Sequence, residues 1–481
     1  MAAAFDLVVR NGTVVSAEGR DTVDIGVCDG RIARIDRRLP AGTVDLDASG
    51  QLVLPGAIDS HCHVAQRSST GLMTADDFES ATRAAACGGT TTIIPFAAQH
   101  RGQPLREVVD DYRRSAEGKA IVDYGFHLIV SDPDERALTV DLPALIREGC
   151  TSFKVFMTYE ALKLTDRQIL DVLQVAREQQ ALVLVHAENH DAVAWSTARL
   201  MRAGHTAPKF HAAARPDIAE REAVHRMISL SEVVGAAVLV VHVSGDAALE
   251  QIRWARGRGL PIFAETCPQY LCFTEASLDR PGFEGAKFIF SPPPRTVRDQ
   301  QALWRGCARG DLDVMSSDHA PYRFGAVDGK AVHGTDAPFP KVPNGMPGLE
   351  TCLPVVFSEG VVAGRLTLEQ FVALSSTNAA RIYGMHPRKG TLAVGADADI
   401  AIWDPERRVT ITNDRLHHHM DYTPYEGMTV TGWPVVTVSR GDVLWREGVL
   451  TATPGRGRFL ARDRFTLGLP AALRSTAEAA P

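Results

Sequence analysis

The chain has 481 residues, 45% of them hydrophobic and 23% charged, enough for a large domain with at least one accessory unit. Its 51 basic and 58 acidic residues give a formal charge of -7 with no Lys-rich or Arg-rich run, which excludes a nucleic-acid or anionic-membrane surface built on clustered positive charge. The longest apolar runs, such as residues 236–243, fall far short of a membrane span.

The start, MAAAFDLVVRNG, lacks the pattern of a secretory signal, and eight cysteines (Cys28, Cys62, Cys87, Cys150, Cys267, Cys272, Cys307, Cys352) lack C-x-x-C spacing. Reduced thiols and a cytoplasmic location are the expectation. The first fifty residues read as short strands joined by tight hairpins. Asn11-Gly12 and Asp29-Gly30 stand between apolar runs, and both dipeptides supply the positive φ angles of two-residue turns.

From residue 52 the pattern changes. Eight apolar runs follow: LVLPGAIDSHCH, GTTTIIPFA, DYGFHLIV, TSFKVFM, ALVLVHAE, AVLVVHVS, PIFAETCP and DVMSSDHA. Candidate helices over 76–87, 165–180, 216–234 and 246–258 separate several of them. Alternating strands and helices, with strands apolar on both faces, predict a parallel sheet, and eight units predict a closed (β/α)₈ barrel. No Gly-rich phosphate loop follows the first strand to favour an open doubly wound sheet. Strand grammar returns at DADIAIWDP, RRVTIT and PVVTVSRGDVLWREG, so one small β-sandwich is expected from both chain ends. The expected division is 1–54 and 388–450 for the sandwich, 55–387 for the barrel and 451–481 for a tail.

Polar residues gather where barrel loops form active sites, at the C-terminal ends of these runs. The first ends in His61-Cys62-His63, whose imidazoles, two apart on a strand, can reach one ion while Cys62 faces away. The fourth carries Lys154, and the fifth, sixth and eighth end at His186, His242 and Asp318. Together these point to a metal centre. Lys154 stands in an apolar strand, where an ammonium is costly and two cations would repel it. Either a buried acidic partner or conversion to a carbamate bridging two metals resolves this, and spacing does not choose. Asp59 is a candidate orienter of a ligand imidazole. His417-His418-His419 reads as a solvated loop.

His61-x-His63, Lys154, His186, His242 and Asp318 resemble the amidohydrolase superfamily with a carbamylated lysine. The strings FKVFMTY, VHAEN, VHVSG, AETCPQYL, FSPPPR, SSDHAP, PNGMPGLE, GTLAVGADADIAIWDP and DYTPYEGM narrow this. They resemble the dihydropyrimidinase and D-hydantoinase family over nearly the whole chain. The resemblance implies two divalent ions, zinc above all, carbamylation of Lys154, and hydrolysis of a dihydropyrimidine or 5-substituted hydantoin to an N-carbamoyl amino acid. It implies that His61, His63 and Asp318 hold one ion and His186 and His242 the other. Tyr159 would then donate to the oxyanion, and Asp318 would relay the proton. Backbone groups at Ser291 and Asn344 would grip the ring edge. A homotetramer is also implied.

The loop after His63, residues 64–70, is polar where the family is apolar and aromatic, which bears on substrate choice, while Phe96 and Phe156 remain as apolar pocket walls. A dihydroorotase would place arginine where Ala65 stands, with Arg67 nearby. Cyclic-imide hydrolase and allantoinase share the metal set and are the alternatives. A collapsin-response-mediator-like scaffold would have lost ligands that are all present here. Residues 321–347, rich in Gly and Pro, are expected to loop over the site, and the tail from Thr451 to reach a neighbouring subunit or lack order.

Overall fold

The computed structural model describes residues 4–68, 71–325 and 327–467. Parallel strands curve into a barrel: β1 (Ala57–Cys62), β2 (Thr90–Ala98), β3 in two pieces (Asp123–Tyr124 and His127–Ile129), β4 (Ser152–Phe156), β5 (Leu182–His186), β6 (Val238–Val240), β7 (Ile262–Thr266) and β8 (Val314–Met315). Each pairs with the next in parallel register, for example Phe156 with His186 and Thr266 with Met315. A bridge between Cys62 and His319, with the Ser317 N–H donating to Asp59, brings the last strand back to the first.

Two apolar layers follow from strands covered on both faces. Ile58, Ile94, Phe96, Leu184, Leu239 and Val314 fill the barrel. Ile93, Val155, Val185 and Cys62 pack outward against helices through Phe78, Ile169, Leu173 and Val224. Those helices start where local chemistry tells them to. Phe78–Cys87 is capped by Asp77 and Asp166–Gln179 by Thr165, each in a capping box. Asp217–Val234 stops at Gly235, whose φ of 73° suits a left-handed cap.

A four-stranded sheet (Leu7–Arg10, Asp24–Cys28, Arg31–Asp36, Val44–Asp47) faces a seven-stranded sheet that includes Thr13–Val15, Leu52–Pro55, Ile400–Thr410 and Thr429–Ser439. Leu7, Val9, Ile25 and Val27 from one meet Val53, Ile400, Ile402 and Val438 from the other, the sandwich expected from both chain ends. Asp29-Gly30 closes a hairpin in which Cys28 opposes Arg31. Asn11-Gly12 does not. Asn11 has a φ of 60°, as its turn chemistry predicts, but the strand before it pairs in one sheet and the strand after it in the other. The turn carries the chain across the sandwich.

Of the two expectations for the tail from Thr451, lack of order is corrected for its described part. The N–H of Leu460 donates to Tyr124 and that of Tyr124 to Arg458, so this segment adds to β3 at the break between its two pieces. Phe459 stacks on Phe126 at 5.7 Å. Residues 468–481 lie outside the described residues. Among the described residues no helix is long and apolar enough to cross a membrane.

Candidate metal centre

The strand ends bring the six expected ligand positions into one buried cluster. His61 Nε2 lies 3.1 Å from Asp318 Oδ1, and His63 Nε2 lies 3.5 Å from the same oxygen. One donor atom from each of these three residues falls within 4.8 Å of the others, close enough to share one cation. The rings of His186 and His242 sit 4.5 Å apart, and the His242 ring lies 5.4 Å from that of His61. Lys154 is 1% exposed, and its Nζ donates to His61 Nε2 at 2.9 Å. Among the described residues it forms no salt bridge; the Phe96 ring, 4.2 Å from Nζ, and the Phe156 ring, at 5.1 Å, flank it instead. Burial draws its pKa down to about 8.

Outer residues decide which nitrogen of each imidazole is free. His61 Nδ1 donates to Glu265 Oε1 at 2.6 Å, leaving Nε2 for the cluster. His63 Nδ1 donates to Gln66 Oε1 at 2.7 Å, again turning Nε2 inward. His186 Nε2 donates to Glu188 Oε2 at 2.7 Å, and Arg215 binds the same oxygen at 2.6 Å. His242 Nδ1 is buried with no hydrogen-bond partner. An unpartnered buried imidazole nitrogen in a ring of imidazoles beside a carboxylate is a donor set that fits divalent cations.

Charge follows the same design. Burial would raise the Asp318 carboxyl, but the His61 and His63 imidazoles hold it well below the usual range, so it stands as an anion. Burial takes His242 well below the ordinary histidine value, so it stands neutral, as a ligand must. His242, Asp318 and Tyr159 have φ angles of 43°, 47° and 67°, a region that costs a non-glycine residue on the order of 1 kcal/mol or more. Three strained residues in one cluster indicate that the surrounding fold enforces their positions.

The remaining expected site residues lie around this cluster. The Tyr159 ring is 5.3 Å from that of His186, and the Arg215 guanidinium lies 5.1 Å from its centroid. Ser291 Oγ donates to Asn344 Oδ1 at 3.1 Å, so these two, 53 positions apart, meet. Phe96 packs on the rings of His61 and His63 at 4.8 and 5.1 Å, and Phe156 stacks on His186 at 5.5 Å. Both wall the ligand cluster itself. Residues 321–347 leave directly after the Asp318 turn and return to Asn344, and the Phe339 N–H ties them to the Thr206 carbonyl.

Two sequence expectations are corrected. Asp59 does not touch an imidazole; it accepts from the backbone N–H groups of His61 and Ser317 and so pins β1 to the segment after β8. The His417–His419 loop is not simply solvated. His417 donates to Glu350 at 2.9 Å, His418 bonds Asn413, and the His419 N–H donates to Asp76. In the polar loop after His63, Gln66 turns back onto the His63 ring while Arg67 is exposed; Ser69 and Thr70 lie outside the described residues. Glu265, Glu188, Gln66 and Arg215 were not anticipated. Of these, Glu188, two residues beyond His186 in VHAEN, and Gln66, three beyond His63, stand near a candidate ligand in sequence, whereas Glu265 and Arg215 do not.

The model of the amidohydrolase family matches residues 52–444. A D-hydantoinase of Rhizobium radiobacter is 43% identical over 463 residues, covering 96% of this chain and all of that protein. A D-hydantoinase of Geobacillus stearothermophilus is 43% identical over 461 residues, covering 95% of this chain and 97% of the relative. The crystal structure of a dihydropyrimidinase from Brevibacillus agri NCHU1002 superposes with a TM-score of 0.92 at 40% identity, covering 95% of this chain and 99% of that one.

Proposed function

The chain belongs to the amidohydrolase family, alongside its D-hydantoinases and dihydropyrimidinases, and from that premise we propose how its own residues open a cyclic amide. The protein is a hydrolase of cyclic amide C–N bonds in hydantoins and dihydropyrimidines, giving N-carbamoyl amino acids. The observation that carries the rest is the convergence of His61, His63 and Asp318 beside the orphaned nitrogen of His242.

By this reading His61, His63 and Asp318 would hold one divalent ion and His186 and His242 a second, with a carbamate on Lys154 as a further oxygen donor. Zinc suits this mix of imidazole and oxygen donors. The buried setting of Lys154 supports the carbamate, because an ammonium there would be both desolvated and repelled by cations. Bound there, the pair would polarise the ring carbonyl and supply a water acidic enough to ionise near neutrality.

The chain's own groups do the remaining work. Asp318, held as an anion, accepts the proton of the attacking water and delivers it to the departing ring nitrogen. Tyr159 donates its hydroxyl proton in a hydrogen bond to the oxygen that gains charge at the attacked carbonyl. Backbone groups at Ser291 and Asn344 pair with the N–H and C=O edge of the ring, so a substrate without that edge leaves them unpaired. Phe96 and Phe156 keep water from the ligand rings. We take the assembly to be a homotetramer, as the sequence resemblance implies, located in the cytoplasm, as its cysteine pattern suggests, with the 55–387 barrel and its two-ended sandwich as the folding unit.

A steady-state panel on metal-quantified protein tests this. Turnover should favour 5-substituted hydantoins, the D form first, and dihydrouracil over succinimide and allantoin. Turnover of succinimide alone would make the protein a cyclic-imide hydrolase. Turnover of no cyclic amide by metal-loaded protein would leave a scaffold.

A further inference from the structure

Lys330 stands out among the charged groups that the mechanism leaves unused. It lies in the 321–347 segment and is 0% exposed, yet among the described residues it forms no salt bridge. Its Nζ donates to the carbonyl of Ile289 at 3.1 Å and to that of Pro343 at 2.9 Å. These acceptors are two residues before Ser291 and one before Asn344. A single amine therefore ties the turn at Lys330 to the carbonyls beside both proposed ring-gripping groups.

The surroundings hold this strap in place. The N–H of Lys330 donates to Arg323, and a Cβ on the preceding Gly329 would fall 2.0 Å from that same carbonyl, so only glycine lets the chain turn here. On the far side the N–H of Gly345 also donates to Ile289, and a Cβ on Gly345 would lie 2.5 Å from the Ala320 oxygen. His211 Nε2 donates to the Phe290 carbonyl at 2.9 Å, fixing the residue between the tied carbonyl and Ser291. Two carbonyl acceptors match the two N–H groups of a neutral amine, and burial draws the Lys330 pKa down to about 7. A lysine kept only for packing would need no such pairing, and a methionine would replace it at little cost.

We propose that Lys330 is a positioning residue that straps the Asn344 end of its own loop to the Ser291 segment and sets the spacing at which the two receive the substrate's amide edge. This rests on the ring-gripping role assigned above to Ser291 and Asn344. Lys330 touches neither the substrate nor the metal ligands. Its loss should appear in substrate binding and in recognition of the ring N–H.

The test is steady-state kinetics on metal-quantified Lys330→Met and Lys330→Gln, with hydantoin and its ring N-methyl derivatives as probes. Lys330→Met leaves the Pro343 carbonyl unpaired and the Ile289 carbonyl with the Gly345 N–H alone, and should raise KM about tenfold, with kcat within about threefold and zinc content unchanged. Lys330→Gln keeps two N–H donors on its amide and should recover much of the loss; it also carries the test if the Met variant does not fold. The discrimination against N-methyl substrates shown by the unmodified protein should shrink in Lys330→Met. A wild-type KM and intact discrimination in Lys330→Met overturn the strap alone, as does joint loss of zinc and kcat in both variants, which marks a general folding role. No discrimination against N-methyl substrates by the unmodified protein overturns the ring-gripping reading, whatever Lys330 does.

Discussion

Glu265 offers the sharpest perturbation of the centre because it touches two ligand residues and, by assignment, no metal. It is fully buried on β7, and its Oε1 accepts from His61 Nδ1 at 2.6 Å and from the His242 N–H at 3.2 Å. Glu265→Leu removes both acceptors, leaving a buried imidazole N–H and a buried backbone N–H unpaired. Each orphan costs about 1–3 kcal/mol, so the metal-free protein should lose about 2–6 kcal/mol of stability. The His61 ring also loses what fixes its tautomer, which weakens metal binding about 10–100-fold. Glu265→Gln keeps a carbonyl acceptor at the same place and should fall at the mild end, within about tenfold. The assay is competitive zinc titration against a chelator, with thermal unfolding of the metal-free proteins alongside. Zinc affinity in Glu265→Leu equal to that of the unmodified protein would refute the idea that His61 is a ligand oriented by Glu265.

Three further outcomes follow from the same geometry. Lys154→Ala should lose both bound zinc and turnover, and short carboxylic acids should restore part of the activity by standing in for the carbamate; full activity without added acid rules out the bridging role. Tyr159→Phe should lower kcat about 100-fold or more with zinc content unchanged, as expected when one oxyanion donor is removed; unchanged kcat makes Tyr159 a wall residue. Lys389, 2% exposed, bonds Asp123 and Asp399 at 2.7 Å each and Asp397 at 3.1 Å where sandwich and barrel meet. Lys389→Met strands those carboxylates with Arg440 as the neighbouring cation on Asp123, and should destabilise the fold by about 3–5 kcal/mol, read by denaturant titration with the zinc-centre kinetics of the surviving fraction unaltered.

The barrel and the convergence of six strand-borne polar residues were legible because a strand's character is local: apolar runs of the right length, each carrying a polar residue, are visible one at a time. Turn chemistry was only half legible. Asp29 and Gly30 both adopt positive φ and close a hairpin, but at the first dipeptide only Asn11 does, and a dipeptide does not specify which strand its neighbours pair with. The residues that orient the ligands were least legible. Glu265 meets His61 across 204 positions, and Arg215 reaches His186 through Glu188. Asp59, three residues into the ligand strand, has the right chemistry to orient an imidazole, yet the local bulge in β1 sends its carboxylate to backbone N–H groups. The break in β3, and the tail that fills it, depend on a pairing between residues over 300 positions apart.

The most direct test of the centre is a crystal structure, with zinc quantified in the same preparation, of protein grown with zinc and bicarbonate. The account predicts two zinc ions per chain and a carboxylated Lys154 side chain between them, with His61, His63 and Asp318 on one ion and His186 and His242 on the other. A free amine at Lys154 with no ion between these residues would contradict it.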